Sequence, residues 1–517
     1  MAGGPSGTSE GVSNASLVWA IVMSAFAAFG GILFGYDTGT IGGVIAMQDW
    51  LNVFGQFDPT GQLGKDTNGM YLTTSNKSLV VSILSAGTFF GALLAFPMGD
   101  MVGRKWGIVC SCVIFSLGVG LQLDTKWATF VVGRVIAGIG VGLVSCLVPM
   151  YQSECSPKNI RGLIVGLYQL AITIGALLAA IVLNSTKDEQ SHAAWRTPIA
   201  VQFAWAFILG GGMLLLPESP RYLLHKGRVD KARRALARLT NRPADSLEVE
   251  ADGTYADCFK NTKLRNGLRT WTGIMLQGWQ QLTGINFIFY YGTTFFQSAG
   301  IQNPFIITII ADVVNTCMTI VGINLIDRVG RRRLLLIGAT GMMVCEYIVA
   351  IVGVTAGKTT TGDGVNQTAQ RVLIAFVCFY IAFFATSWGP VAWVVTGEIF
   401  PLNIRAKGHV ALRRVQLALE LCDRPNGVAT AGLKVKVFFI WGSTCLGCLI
   451  FTYFFIPETK GLSLEQIDLL YQESSIINSN KYRKKMIAES ETHAHHDKVT
   501  ASHDESLEDH PANVEKV

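Results

Sequence analysis

Gln280, Gln281, Asn286, Tyr290 and Tyr291 fall within twelve residues of one apolar stretch. Primary amides donate and accept hydrogen bonds without demanding a counter-ion, and aromatic rings offer flat apolar faces. The combination suits a neutral, polyhydroxylated ring such as a sugar, with amides for its hydroxyls and aromatics for its ring face. On an α-helix residues 281 and 285 share a face, while 280 and 281 diverge by about a quarter turn. One glutamine therefore lines a cavity and its neighbour lies toward an edge. So many amides in an apolar segment are costly unless partners or a wet cavity satisfy them, and the competing use of such groups is to hold helices together. Two charges also sit in apolar stretches, Asp37 in Phe34-Gly35-Tyr36-Asp37-Thr38-Gly39 and Arg134 in Gly133-Arg134-Val135. Charge there is expensive and usually paired. Glu346 is a further acid of this kind, read as a helix-packing or headgroup-facing residue.

The elements that must position these groups are membrane spans. The chain has 517 residues, 15% of them charged, and a mean hydropathy of +0.38, too apolar for a soluble protein of that size. A span needs roughly 20 apolar residues. Candidates run near Leu17–Tyr36 (reaching toward Met47), Leu79–Phe96, Trp106–Leu121, Ala128–Met150, Leu163–Leu183 and Pro198–Leu216. After a polar stretch come Trp271–Phe296, Phe305–Ile326, Leu334–Val354, Val372–Val395 and Val437–Ile456, eleven in all. Glycines such as Gly138, Gly140 and Gly142 suit close helix packing in lipid. Residues 1–16 contain no Lys or Arg, so the first run is expected to act as an uncleaved signal. The eleven cysteines show neither zinc-ligand spacing nor a disulfide framework. No metal, cofactor, nucleophile constellation or channel filter is indicated, so neither an enzyme nor a channel is expected.

The net charge is +6, and the basic residues cluster in short loops between spans. That is the signature of cytoplasmic loops and not of a nucleic-acid-binding stripe. Arg104 and Lys105, Lys158 and Arg161, the basic segment 221–269, Arg328 to Arg333, and Arg405 with Lys407 all lie on that side. Sequons at Asn76, Asn184 and Asn366 fall on the other. The expected organisation is a cytoplasmic tail (1–16), a six-helix half (17–220), linker helices (221–268), a second half (269–470) and a disordered cytoplasmic tail (471–517).

The halves repeat one another. Asp100, Gly103 and Arg104 after the second span match Asp327, Gly330 and Arg331 after the eighth. Glu154 precedes Arg161 by seven residues, and Glu398 precedes Arg405 by the same seven. Glu218 and Arg221 follow Pro217, and Glu458 follows Pro457. Parallel six-span repeats suit alternating access around a central site. These acid–base groups are expected to bridge the halves when the cavity faces outward; anchoring helix ends at the headgroups is the plainer use.

The motifs Gly99–Lys105, Pro217–Arg221, Gln280–Asn286, Trp388–Trp393 and Pro457–Gly461 resemble those of the sugar porter family of the major facilitator superfamily, and within it the fungal hexose transporters. The resemblance covers roughly residues 17–408 and 437–470. It implies an all-α polytopic membrane fold of two six-helix halves related by pseudo-two-fold symmetry. It implies a monosaccharide substrate, most simply glucose or another hexose, a monomeric functional unit, and a plasma-membrane location with both termini cytoplasmic. It adds Gln169, Asn315, Phe384, Gly389 and Trp393 to the sugar site, Gly389 with Pro390 also marking a helix break. It also brings Asp37 within reach of Arg134. If Asp37 takes up an external proton it releases Arg134, a mechanism for proton symport; a static salt bridge in a facilitator is the alternative.

One segment departs from the family. Where an eleventh span should lie, residues 409–436 carry Arg413, Arg414, Glu420, Asp423 and Arg424, with Pro425 and Gly427. At roughly 2.5–3.5 kcal/mol per central charge, inserting all five would cost on the order of 10 kcal/mol. The family pattern resumes cleanly on both sides, so a local frame disturbance in the gene is one reading. A transporter copy without activity, or a sensor that binds sugar without moving it, are the functional alternatives.

Overall fold

The computed structural model describes residues 14–59, 67–155, 161–240, 255–260, 263–298, 303–355, 367–401, 404, 408, 411–413, 415–419, 434–462, 464–476 and 478–488. The chain opens with α1 (Asn14–Val44) and the short α2 (Gln48–Phe54). A two-residue antiparallel pairing follows, of β1 (Gln56–Phe57) with β2 (Met70–Tyr71). Five long helices complete the first half: α3 (Thr74–Met101), α4 (Arg104–Gln122), α5 (Trp127–Cys155), α6 (Arg161–Thr186) and α7 (Ala193–Leu215). Short helices α8 (Pro220–His225), α9 (Val229–Thr240) and α10 (Tyr255–Phe259) lead to α11 (Asn266–Gln281) and α12 (Ile285–Ser298). Then come α13 (Pro304–Val329), α14 (Arg331–Thr355), α15 (Gln367–Thr386), α16 (Trp388–Ile399), α17 (Val437–Phe455) and α18 (Leu464–Glu473).

Among the described residues, nine helical segments are long and apolar enough to cross a membrane, α15 and α16 counting as one. With α1 and the α11–α12 pair they occupy the eleven places read from the sequence. Helices that satisfy their own backbone can present apolar side chains to lipid, and Phe207, Leu215 and Phe90 are exposed on the outer surface. One buried core runs through α1 to α7 and a second through α11 to α18. Tyr290 of α12 and Leu417 belong to the first core, so the second half reaches into it. Helix backbones in the first half touch directly. A Cβ on Gly35 of α1 would lie 1.9 Å from the Ile172 carbonyl oxygen of α6, and one on Gly138 of α5 would lie 2.3 Å from the Leu84 carbonyl oxygen of α3. In the linker, Ala232 and Ala235 of α9 bury one face against Tyr222 and Leu223, as its amphipathic pattern predicts.

Span seven is not one helix. It breaks between Gln281 and Ile285 at Gly284, whose φ is +82°, so the helical phase that relates 281 to 285 does not carry across. The loosened carbonyls find side-chain donors: the Thr444 hydroxyl donates to Leu282 O at 2.6 Å and the Tyr380 hydroxyl to Thr283 O at 2.7 Å. Span ten breaks at Ser387, two residues before the expected Gly389; Gly389 and Pro390 open α16. Proline fits a first helical turn, where no amide donor is needed.

The tail expected to be disordered from residue 471 begins with structure. Residues 479–488 are helical, with Ser479 and Met486 buried, and the Ser479 hydroxyl accepts from the Glu458 amide at 3.2 Å. Residues 489–517 lie outside the described residues. α18 packs on the ends of α11 and α16. Arg269 pairs with Asp468, donates to Ile399 O at 3.2 Å and lies 4.3 Å over the Tyr471 ring. Burial pushes the Tyr471 hydroxyl pKa above its ordinary value.

Candidate substrate cavity

A cavity of about 110 Å³ lies between the halves, where one water needs roughly 10–15 Å³, so there is room for a small ligand. The two helix breaks turn short helix ends toward it. Gln280 and Gln281 come from the end of α11, Asn286 and Tyr290 from the start of α12, and Trp393 from α16. Gln169 enters from α6, Asn315 from α13 and Phe384 from α15. Eight of the ten substrate residues read from the sequence thus share one cavity wall.

Their amides are partly committed to one another. Gln280 Nε2 donates to Trp388 O at 2.8 Å and Gly389 O at 3.4 Å, at the start of α16 just past the break in span ten. Asn286 Nδ2 donates to Gln281 Oε1. Both neighbouring glutamines line the cavity, because the break lets the helix end open toward it. Gly389 contributes its carbonyl rather than a place in the wall. Tyr291 is the misplaced residue: its ring packs on Phe287, centroids 5.7 Å apart, and it does not line the cavity. Phe34, Thr38 and Thr173 do line it and were passed over, being too common in spans to carry a signal.

Asp37 and Arg134 meet as the resemblance implied. Arg134 Nη1 lies 3.2 Å from Asp37 Oδ1, with the side chains 1% and 0% exposed. Arg134 Nη1 also contacts Gln122 Oε1 at 3.5 Å. The pair adjoins the cavity through Thr38 and Gly39, the residues next to Asp37. Glu346 is buried in α14 and is not part of the wall. Asp312, buried in α13 one turn before Asn315, is an acid that the sequence reading missed.

The repeated charge motifs form two near-identical clusters. Arg104 lies 3.3 Å from Asp100 and 3.1 Å from Glu154; Arg331 lies 2.8 Å from Asp327 and 2.7 Å from Glu398. Glu218 Oε1 accepts the Arg104 and Lys105 amides, each at 3.0 Å, and Glu458 Oε1 accepts the Arg331 amide at 3.0 Å. A carboxylate is favoured at a helix N-terminus by its free N–H groups and dipole. Room for each comes from a bare glycine in an extended, positive-φ conformation: Gly103 (φ +106°) and Gly330 (φ +104°), where a Cβ would lie 2.4 Å and 2.6 Å from the glutamate. Ser219 donates to Glu154, and Thr459 to Glu398 at 2.7 Å. These groups, expected to bridge the halves, each close within their own half, because the arginine at each helix start reaches the acid of the next helix in its own bundle. Arg221 sits in α8. The Arg161 side chain and Arg405 lie outside the described residues.

The segment read as a disruption contributes to the wall. Residues 411–413 and 415–419 are helical, and Arg413 and Gln416 line the cavity. Arg413 Nη1 donates to Gln416 Oε1 at 2.7 Å and Nε to Ser145 Oγ of α5 at 3.4 Å; Gln416 Nε2 approaches Gln280 Oε1 at 3.4 Å. The Arg413 guanidinium carbon is 5.2 Å from the ring centroids of both Phe34 and Trp393. Arginine and glutamine three apart share a helix face, which was the available sign. Arg414, Glu420, Asp423, Arg424, Pro425 and Gly427 lie outside the described residues.

A family profile described as "Sugar (and other) transporter" matches residues 23–471. The chain is 48% identical to the major facilitator-type transporter ecdD of Aspergillus rugulosus, over 93% of each chain. It is 42% identical to the probable glucose transporter rco-3 of Neurospora crassa, over 88% of this chain and 79% of that one. Among solved structures, the proton:xylose symporter XylE bound to 6-bromo-6-deoxy-D-glucose, a member of the major facilitator superfamily, aligns with a TM-score of 0.70 at 28% identity, covering 89% of this chain and all of XylE.

Proposed function

Because the chain belongs to the sugar transporter family, we propose that it carries a hexose across the plasma membrane by alternating access, coupled to protons through Asp37 and Arg134. It is a polytopic membrane protein of the major facilitator fold, a transporter and not an enzyme. Our reading makes a single chain the working unit and puts both termini in the cytoplasm.

The observation that carries it is the wall itself: amides Gln169, Gln280, Gln281, Asn286 and Asn315 with aromatics Tyr290, Phe384 and Trp393 around one cavity between the halves. This is the pairing of hydroxyl partners and ring faces that a sugar needs. Two broken helices form part of it, and a break is where a span can bend without unsatisfied backbone. For coupling, a proton on Asp37 would cancel its attraction for Arg134 and free α1 from α5. Uncoupled facilitation has an observation in its favour too, since the pair is fully shut away from water here.

Radiolabelled glucose uptake in a yeast lacking its own hexose carriers tests the reading. Uptake that an uncoupler abolishes, and that loses its dependence on external pH in Asp37→Asn, supports symport. Uptake indifferent to both makes the pair static and the protein a facilitator. No uptake of glucose or of D-glucuronate by a correctly delivered chain means a sensor or an inactive copy.

A further inference from the structure

Arg413 is the only charged residue that lines the cavity among the described residues. It is 5% exposed. Its two hydrogen-bonded nitrogens meet neutral partners, the Ser145 hydroxyl and the Gln416 amide, and its Nη2 has no partner. Among the described residues no carboxylate lies within 4 Å of it. The other buried arginines are treated differently: Arg104, Arg134, Arg269 and Arg331 each pair with an acid. Phe34 and Trp393 flank the Arg413 guanidinium and hold it in place. Ring faces attract a cation but do not cancel its charge, and a buried charge without a counter-ion is strongly unfavourable. A fixed planar cation in the cavity wall, with Nη2 still without a partner, matches a carboxylate, the group a guanidinium pairs with best.

We infer that the cavity takes a carboxylated monosaccharide, a uronic or aldonic acid, whose carboxylate pairs with Arg413 while the amides of α11, α12 and α6 hold its hydroxyls. This deepens the sugar-carrier reading and rests on it. A neutral hexose would leave the guanidinium desolvated and unpaired; an anionic one supplies the missing counter-ion with the substrate itself. The residue comes from the segment that breaks the family pattern, so the change in substrate class and the change in sequence have one origin.

The test is equilibrium binding of radiolabelled D-glucuronate and D-glucose to the purified full-length chain, beside Arg413→Gln and Arg413→Lys, with acetate as competitor. D-glucuronate should bind about tenfold or more tighter than D-glucose, the scale of a hydrogen bond to a charged group. Arg413→Gln should erase that preference, Arg413→Lys should keep part of it, and acetate should compete weakly. Equal binding of the two sugars to the unaltered chain, or a glucuronate preference that survives Arg413→Gln, overturns the inference and leaves the sugar carrier standing. So does an unaltered chain that binds neither sugar while Arg413→Gln binds both, which would make Arg413 a plug. Acetate competing as well as glucuronate also overturns it, by showing an anion site without sugar recognition. If neither sugar binds to any of the three, each eluting as a folded monodisperse protein, the sugar reading itself falls.

Discussion

At their loop ends the two halves are near copies. In each, an arginine at a helix start meets an aspartate one turn back and a glutamate of another helix. In each, a second glutamate caps the same helix start over a bare glycine. Inside, they diverge. The first half is built of unbroken helices whose backbones touch, and its ion pair beside the cavity, Asp37 with Arg134, is enclosed. The second half has two broken spans, and from the breaks come Gln280, Gln281, Asn286 and Trp393, with Arg413 beside them. Close packing makes a body that moves as a unit, whereas a broken helix can change its angle at small cost once side chains satisfy its carbonyls. The difference assigns a stiff frame to one half and the adaptable ligand-facing surface to the other.

The largest test of the stiff frame is its enclosed pair. Asp37→Ala strands Arg134 in a dry interior and should cost about 3–5 kcal/mol, read as a large drop in the melting temperature of detergent-solubilised protein. Asp37→Asn with Arg134→Gln should recover much of it. Next comes the symmetry of the caps. Gly103→Ala and Gly330→Ala each force a side chain into a glycine-only conformation at about 1–3 kcal/mol, and the two melting shifts should agree. A much smaller shift for one would mean that the clusters are copies in outline only.

The adaptable half should answer in binding before stability. Gln280→Ala removes the amide that ties span seven to the start of α16 and lines the cavity. About 1–3 kcal/mol of binding should go with it, seen as a raised KM for uptake with a smaller change in melting. Last are the outer acids of the clusters. Asp327 is 81% exposed and Asp100 is 35% exposed. Asp327→Asn should cost under about 0.5 kcal/mol and Asp100→Asn no more than about 1 kcal/mol, separable by melting at low and high salt.

The sequence exposed most of this frame. Spans are long apolar runs, and the clusters rest on short motifs that recur in order. The amides of span seven were visible because polar groups are rare where lipid is expected. What it hid follows from the physics of reading one chain. Helical phase was carried through Gly284, since a single glycine in an apolar run does not announce a break. Glu154 stood out for its repeated seven-residue spacing to Arg161, and nothing in that spacing tells that Glu154 pairs with Arg104, fifty positions away, a choice only packing makes. Arg413 was counted as a cost because hydropathy records that a charge is in a span and not what it faces.

Gly103 and Gly330 also set a rule for the gene. Every missense change in a glycine codon adds a Cβ, and at these two codons the new atom lands on the carboxylate that holds the next helix start. Neither site has a mild substitution available, not even alanine. Allelic variation should therefore collect in the surrounding loops and avoid these two codons, so that an inherited change at either one reads as a less stable and less abundant carrier, whatever the substrate.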